Sequence, residues 1–171
     1  DRTADYGMDG TERRRQRPQV QEAQRRLYRG KKKTQTMKNL IIGGLTTRTV
    51  TSLSHTYEGR IHDKTIAEDE SPTFPDDIAL YKDSGLQGYE PENVRTFQPQ
   101  KNPKGQELTR AQKAQNRLIA KIRIVIKHIL AGIKRCRIVK DVFRNTKKHF
   151  DDLVMELACG LHNFRVHARY T

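Results

Sequence analysis

Two aspartates and a lysine raise the sharpest chemical question in this chain. Asp9 lies in "MDGTE", and Asp83 lies in "LYKDSG", directly after an apolar run. Both positions read as strand ends or turns, where an aspartate often does no more than cap a turn. Two carboxylates at the ends of neighbouring strands can also share hard divalent cations. Mg²⁺ takes oxygen ligands, and one or two carboxylates usually hold it together with water and substrate phosphate. Two such ions about 3.5–4 Å apart activate a water and steady the leaving oxygen in phosphodiester cleavage. A third carboxylate on a facing helix would complete the pair of sites. The long apolar stretch that could supply it is "RIVIKHILAGIK" (123–134), and its central position is Lys127.

Helical geometry gives that lysine a place. At about 100° per residue, Ile122, Val125, Ile126, Ile129, Leu130 and Ile133 share one face. Arg123, Lys127 and Lys134 fall in a stripe roughly 40° wide that borders it. A basic stripe of this kind is ordinarily a solvated or snorkelling face. Beside two carboxylates it stands on the lip of the core, where it can reach a cleft.

The elements that must position these groups read as follows. "YGMDGTE" fits the end of a short strand, with Asp-Gly marking a turn. "ERRRQRPQVQEAQRRLYRGKKK" has little periodicity and reads as a basic loop within a leading segment 1–33, with a short helix over Val20 to Tyr28. "TQTMKNLIIGG" (34–44) and "RTVTSLSHTY" (48–57) are strand-like and joined by a hairpin connection. "HDKTIAEDE" (62–70) reads as a short helix carrying acids, "IALYKDSGLQGY" (78–89) as a buried strand and loop, and "NVRTFQP" as one more strand. Thr109 and Gln112 fit a Thr-x-x-Gln capping box opening a long helix. Phe150, Leu153, Val154, Leu157, Ala158 and Leu161 are spaced for an amphipathic helix packed on a core. The order of elements predicts one α/β domain, a mixed sheet covered by helices.

The totals agree with one modest core in a very basic molecule. The 171 residues are 34% apolar and 32% charged, with a net charge of +14 and a pI near 10.0. Such a field favours polyanions, nucleic acid ahead of an anionic membrane surface. No run approaches the roughly 18 apolar residues of a membrane span. The opening "DRTADYGMDG" does not read as a signal peptide, so a cytoplasmic protein is expected. Cys136 and Cys159 fit neither a disulfide framework nor a zinc half-site and read as reduced structural thiols. The six histidines lack HExxH or zinc spacing, and "RGKKKT" lacks the leading glycine of a phosphate loop. Glu156 reads as a surface or capping residue.

Taken together, "DGTERRRQRP", "YRGKKKTQTMKNL", "YEGRIHDK", "LYKDSGLQGYEP" and "NRLIAKIRIVIKHILAGIKRCRIVKDVFRNT" resemble the DDE-superfamily transposases of bacterial insertion sequences, in the group related to eukaryotic Harbinger elements. The order of motifs is kept over most of residues 8 to 165. The resemblance implies a ribonuclease-H-like mixed sheet flanked by helices, over a domain spanning 1–171. It implies Mg²⁺ or Mn²⁺ at a two-metal site, DNA as partner (transposon ends and target), a homo-oligomer on DNA and a nucleoid-associated location. A helix-turn-helix region is expected upstream in the family, so the chain reads as N-terminally truncated.

Residue by residue, the first family acid maps to Asp9 and the second to Asp83, the implied metal ligands. The third acid is a helical Glu in the pattern Arg, three residues, Glu, six residues, Lys. Arg123 and Lys134 fit, and Lys127 stands at the Glu position. A cation there removes a ligand and repels the metal, so strand cleavage and transfer are expected to be impaired; as a hypothesis, Lys127 pairs with Asp9 or Asp83. Arg29 and Gln35 are further departures, standing where Ser and His are expected. Arg123, Lys134, Lys31, Lys32 and Lys33 are expected to contact phosphates or neighbouring acids. Asp63, beside His62, is the backup acid should the strand order differ. The alternatives are a non-catalytic DNA-binding remnant of the same fold and an unrelated RNA-binding protein. The latter is disfavoured by an aromatic content of 6% with no Trp to stack bases.

Overall fold

A computed structural model describes residues 5–102, 105 and 107–170, with the backbone alone for Lys31 and Tyr170. Among these residues seven strands form the sheet: β1 Asp5–Arg14, β2 Tyr28–Arg29, β3 Thr34–Gly44, β4 Val50–Leu53, β5 Tyr57–Glu58, β6 Ile78–Lys82 and β7 Val94–Phe97. Five α-helices of the described residues accompany it: α1 Gln21–Leu27, α2 Asp63–Glu70, α3 Arg110–Ile133, α4 Arg137–Lys140 and α5 Phe150–Tyr170. The strand order is β2-β3-β1-β6-β7, with β4 and β5 also pairing β3. β1 runs antiparallel to β3 and parallel to β6, and β6 runs parallel to β7. This mixed sheet flanked by helices is the expected ribonuclease-H-like arrangement.

β3 is buried along nearly all its length because both of its faces are covered. Met37 and Ile41 face a cluster with Ile126, Ile129 and Ile133 of α3 and Val154, Met155, Ala158 and Cys159 of α5. Leu40 and Ile42 face the other way, onto Met8, Ile78 and Leu80 of the sheet and Ile66 and Ala67 of α2. The period of two along the strand thus feeds two separate cores. Thr109 and Gln112 exchange the two hydrogen bonds of a capping box at the start of α3.

Four expectations need correction. β1 does not stop at a turn after Asp9 but pairs with β3 as far as Arg14↔Thr36, through residues read as loop. The long-range ladder outweighs the polar local composition. "RTVTSLSHTY" divides into β4 and β5, because Ser54 Oγ accepts the Leu40 N–H at 2.8 Å between them. The buried row of α3 is Ile119, Arg123, Ile126, Ile129 and Ile133, while Ile122, Val125 and Leu130 are only partly covered. The core face is therefore turned toward the arginine. On α5 the inner row is Val154, Met155, Ala158, Cys159 and His162, and Leu153, Leu157 and Leu161 are exposed. Ala158 and Cys159 are small enough to let α5 approach α3 closely, and the leucines are left on the rim. Cys159 is a free buried thiol whose pKa burial pushes up to about 12.

Candidate active site

The parallel ladder between β1 and β6 ends at Met8↔Lys82. Asp9 is the next residue of β1 and Asp83 the first residue past β6, so the register sets them side by side. Met8 packs toward α2. Alternation then turns Asp9 toward α3.

There the carboxylates meet Arg123. Its Nη2 lies 2.7 Å from Asp83 Oδ1 and 3.8 Å from Asp9 Oδ2. The Arg123 side chain is 8% exposed, that of Asp9 16% and that of Asp83 39%. The pair is therefore buried on the Asp9 side and open on the Asp83 side. Burial raises the Asp9 pKa to about 6, and repulsion from Asp83 adds to the rise. Arg123, the Gly10 N–H and Lys127 oppose it. Asp83 also caps the turn Ser84–Leu86, accepting from the Gly85 N–H at 3.4 Å.

Lys127 is exposed and makes no hydrogen bond or ion pair among the described residues. It lies near enough for its charge to be felt at Asp9. The ion pairs expected of it as a hypothesis are made instead by Arg123, one turn earlier, which is buried against the acids. Lys134 is half-buried at the end of α3; burial lowers its pKa, helped by Lys32 and opposed by Asp9 and Glu12. Lys32 is exposed and pairs with Glu12 at 3.8 Å, and Lys33 is exposed in the left-handed conformation that ends the turn Gly30–Lys32. The Lys31 side chain lies outside the described residues.

Asp63 comes up from the opposite face of the sheet. Its Oδ1 accepts from Lys38 Nζ at 3.0 Å, and the same lysine donates to the Ile61 carbonyl at 2.9 Å. A Cβ on Gly10 would lie 3.0 Å from Asp63 Cγ, and one on Gly85 would lie 3.0 Å from Asp63 Oδ2 and 3.7 Å from Asp83 Oδ2. The Asp9-Gly10 dipeptide is thus no turn. Its glycine leaves room for the Asp63 carboxylate beneath the strand.

Glu12 is the acid that sequence reading passed over. It accepts from Thr36 Oγ1 at 2.8 Å and pairs with Arg29 at 3.7 Å. Its spacing of three from Asp9 carries no strand signal, since i and i+3 alternate to opposite faces. With Arg14, Lys32, Lys134, Lys140 and Arg144 it lines an open basic cavity of about 790 Å³.

A family model described as "DDE superfamily endonuclease" matches residues 8–163, nearly the whole chain. The chain belongs to the DDE superfamily endonucleases. This DDE-family chain is also 30% identical over 159 residues to the "Probable transposase for insertion sequence element IS702" of Microchaete diplosiphon. The match covers 93% of this chain and 56% of that relative, so the chain spans just over half of the relative's length. No solved structure matches it.

The donor chemistry can be tested on the family's expectation of divalent metal. Asp9 and Asp83 offer hard oxygens from adjacent strand ends, of the kind that hold Mg²⁺ or Mn²⁺. Burial first, and the Asp83 charge second, raise the proton affinity of Asp9. These two carboxylates would suit one such ion as ligands. Among the described residues no group of three His, Cys, Asp or Glu side chains could hold a metal.

Proposed function

We propose that this chain is the catalytic domain of a DDE-type insertion-sequence DNA transposase whose cleavage centre is impaired by Lys127. The observation that carries the reading is the meeting of Asp9 and Asp83 under α3, with Lys127 one turn beyond Arg123 on that helix. Asp9 and Asp83 would hold a divalent ion, which when bound supplies charge stabilisation to phosphodiester cleavage. Arg123 keeps the two acids together, and its release to a phosphate would free their oxygens. Lys134 and Lys32, with Lys31 and Lys33 beside it, would steady the DNA backbone. Such contacts position the substrate without reading its sequence. Asp63, engaged by Lys38, would support Asp83 from below. The relative's name and the family support DNA transposon ends and target DNA as partners; assembly on DNA and a bacterial, nucleoid-associated location belong to the same reading. No helix of the described residues is long and apolar enough to cross a membrane.

Supercoiled plasmid incubated with Mg²⁺ or Mn²⁺ tests the proposal. The chain itself should nick at background level. Lys127→Glu should raise metal-dependent nicking by about 10²–10³-fold, the equivalent of several kcal/mol of transition-state stabilisation. Adding Asp83→Asn should abolish the gain. Nicking by the unaltered chain that disappears with Asp83→Asn would overturn the impairment. A folded, DNA-binding Lys127→Glu protein that never nicks would favour the second reading, a DNA-binding remnant. Lys127 itself is the observation that favours that reading.

A further inference from the structure

The strongest cation cluster outside the site described lies on the other side of α3. A cavity of about 360 Å³ opens between the C-terminal halves of α3 and α5 and the connection from β3 to β4. Its size falls within the roughly 300–1,000 Å³ of ligand clefts. Arg48, Arg135, Arg165 and Arg169 line it with His128 and His162, and no lining residue is acidic. Among the described residues, none of these four arginines has a carboxylate partner. Four guanidiniums round one cavity without a counter-charge repel each other, and an anion would relieve that repulsion.

The floor of the cavity is built rather than accidental. His162 is 7% exposed, and its Nε2 stands 3.0 Å from the Arg48 carbonyl oxygen. Burial lowers its pKa; the Arg48 carbonyl opposes this, and Arg165, Arg135 and Arg169 push it down further. Gly132 allows this approach, because a Cβ there would lie 2.3 Å from His162 Nδ1. Arg165 Nη2 donates to the Gly132 carbonyl at 2.9 Å, which fixes its fork at the rim with donors to spare.

The position relative to the cleft is what selects the ligand. His128 follows Lys127 on α3, about 100° farther round the helix, and Arg135 follows Lys134 in the turn just past the end of the helix. Lys127 and the cavity-lining His128 stand on either side of the exposed ridge of α3, less than about one helix diameter apart. A chain of phosphates lying across that ridge from the Asp9–Asp83 cleft would reach the arginine cavity. We infer that the Arg48–Arg135–Arg165–Arg169 cavity is a phosphodiester-binding site that holds the DNA backbone on the far side of α3. The inference rests on the proposed DNA partner, and supplies a second anchor that no catalytic group provides.

Anisotropy of a short fluorescent duplex, titrated between about 50 and 300 mM NaCl, tests it. The double variant Arg135→Glu/Arg169→Glu changes two exposed side chains. The control Lys101→Glu/Lys148→Glu makes the same change of net charge at two exposed positions outside the cavity. The cavity variant should weaken binding tenfold or more at about 100 mM salt. It should also lower the slope of log K against log salt by about 2, at roughly 0.9 per phosphate contact. An unchanged melting temperature confirms that both variants fold. Equal slopes in variant and control would overturn the inference while leaving the DNA partner standing. Failure of the unaltered chain to bind duplex would overturn both. Pyrophosphate is the small-phosphate arm. Thermal stabilisation by pyrophosphate that only the cavity variant loses, with duplex binding at the control level, would reassign the cavity to free phosphates and overturn the DNA assignment.

Discussion

Among the described residues two arginines are buried, and they are held in different ways. Arg13 on β1 is 2% exposed and Arg123 on α3 is 7% exposed. Arg13 Nη2 donates to Asn39 Oδ1 at 2.8 Å, to Thr56 Oγ1 at 3.0 Å and to the Asp151 carbonyl at 3.4 Å. Its guanidinium lies 6.0 Å from the Phe143 ring centroid. Among the described residues no carboxylate oxygen pairs with it directly, and burial lowers its pKa to about 10, with Asp151 and Asp152 opposing. Arg123 instead meets two carboxylates, one of them at the open rim. A cation fixed by neutral acceptors from several elements is part of the architecture. A cation fixed by two displaceable charges at a cleft mouth can be exchanged, and that difference separates scaffold from site along one face of the sheet.

Breaking the Arg13 side of the comparison should have the larger effect on stability. Arg13→Ala strands Asn39 and Thr56, removes the contact with Phe143 and leaves a cavity. Lost buried hydrogen bonds and the void together should cost about 3–4 kcal/mol. The loss should be nearly independent of salt, because neutral partners are not screened. Urea melts at low and high NaCl measure this, and a loss that vanishes in high salt would show that distant charges, not the neutral acceptors, hold Arg13.

The Arg123 side is sharpened by Asp9→Asn. The folded-state pKa of Asp9 is raised to about 6, so its contribution is favourable below the unfolded value near 4 and is lost as pH rises through 6. Asparagine carries no charge to bury. The variant should therefore be more stable than the native chain by about 2–3 kcal/mol above pH 6, and equal to it near pH 4. Arg123→Gln should move the native transition to higher pH, because the guanidinium is the first of the influences holding it down after burial and Asp83 have raised it. Thermal melts across pH 4–8 decide this. A native chain whose stability rises through that range would contradict the sign.

What could be read beforehand followed from how local each determinant is. The capping box at Thr109 and Gln112, the β3 run and the short acidic helix α2 depend on neighbours in sequence and match the expected elements. β1 was legible only as far as Asp9, because Glu12–Arg15 looks like a solvated charge run. Its burial comes from Asn39, Thr56 and α5, all distant in sequence. The pairing of Asp9 with Asp83 needed the parallel register, which no local pattern encodes. α5 carries two apolar rows, Val154–Ala158 with Met155–Cys159 and Leu153–Leu157–Leu161, and periodicity cannot say which one faces inward. The same ambiguity hid Arg123. Its stripe was placed on the border of the core face, while a modest turn of α3 buries the arginine and leaves Lys127 outside.

The smallest predicted effect tests how tightly the two faces of the sheet are joined at the site. Gly10 separates Asp9, facing α3, from the Asp63 carboxylate on the α2 side. Gly10→Ala would ordinarily help a strand, since alanine has less backbone freedom to lose, by about 0.4–1 kcal/mol. Here the added methyl would meet Asp63 Cγ at 3.0 Å and both carboxylate oxygens at 3.1 Å. Asp63 has little room to yield, because Lys38, itself 7% exposed, holds it at 3.0 Å. Overpacking of this kind typically costs about 1–3 kcal/mol, so the net change should be a loss of about 1 kcal/mol. Asp63→Ala removes the obstacle but strands Lys38, so the single variant alone is uninformative. The double-mutant cycle subtracts that cost, and should show Gly10→Ala becoming neutral or favourable in the Asp63→Ala background, with a coupling of at least about 1 kcal/mol. Additivity of the two changes would mean that Asp63 does not press on β1 beneath Asp9, and its place in support of the site would go with it.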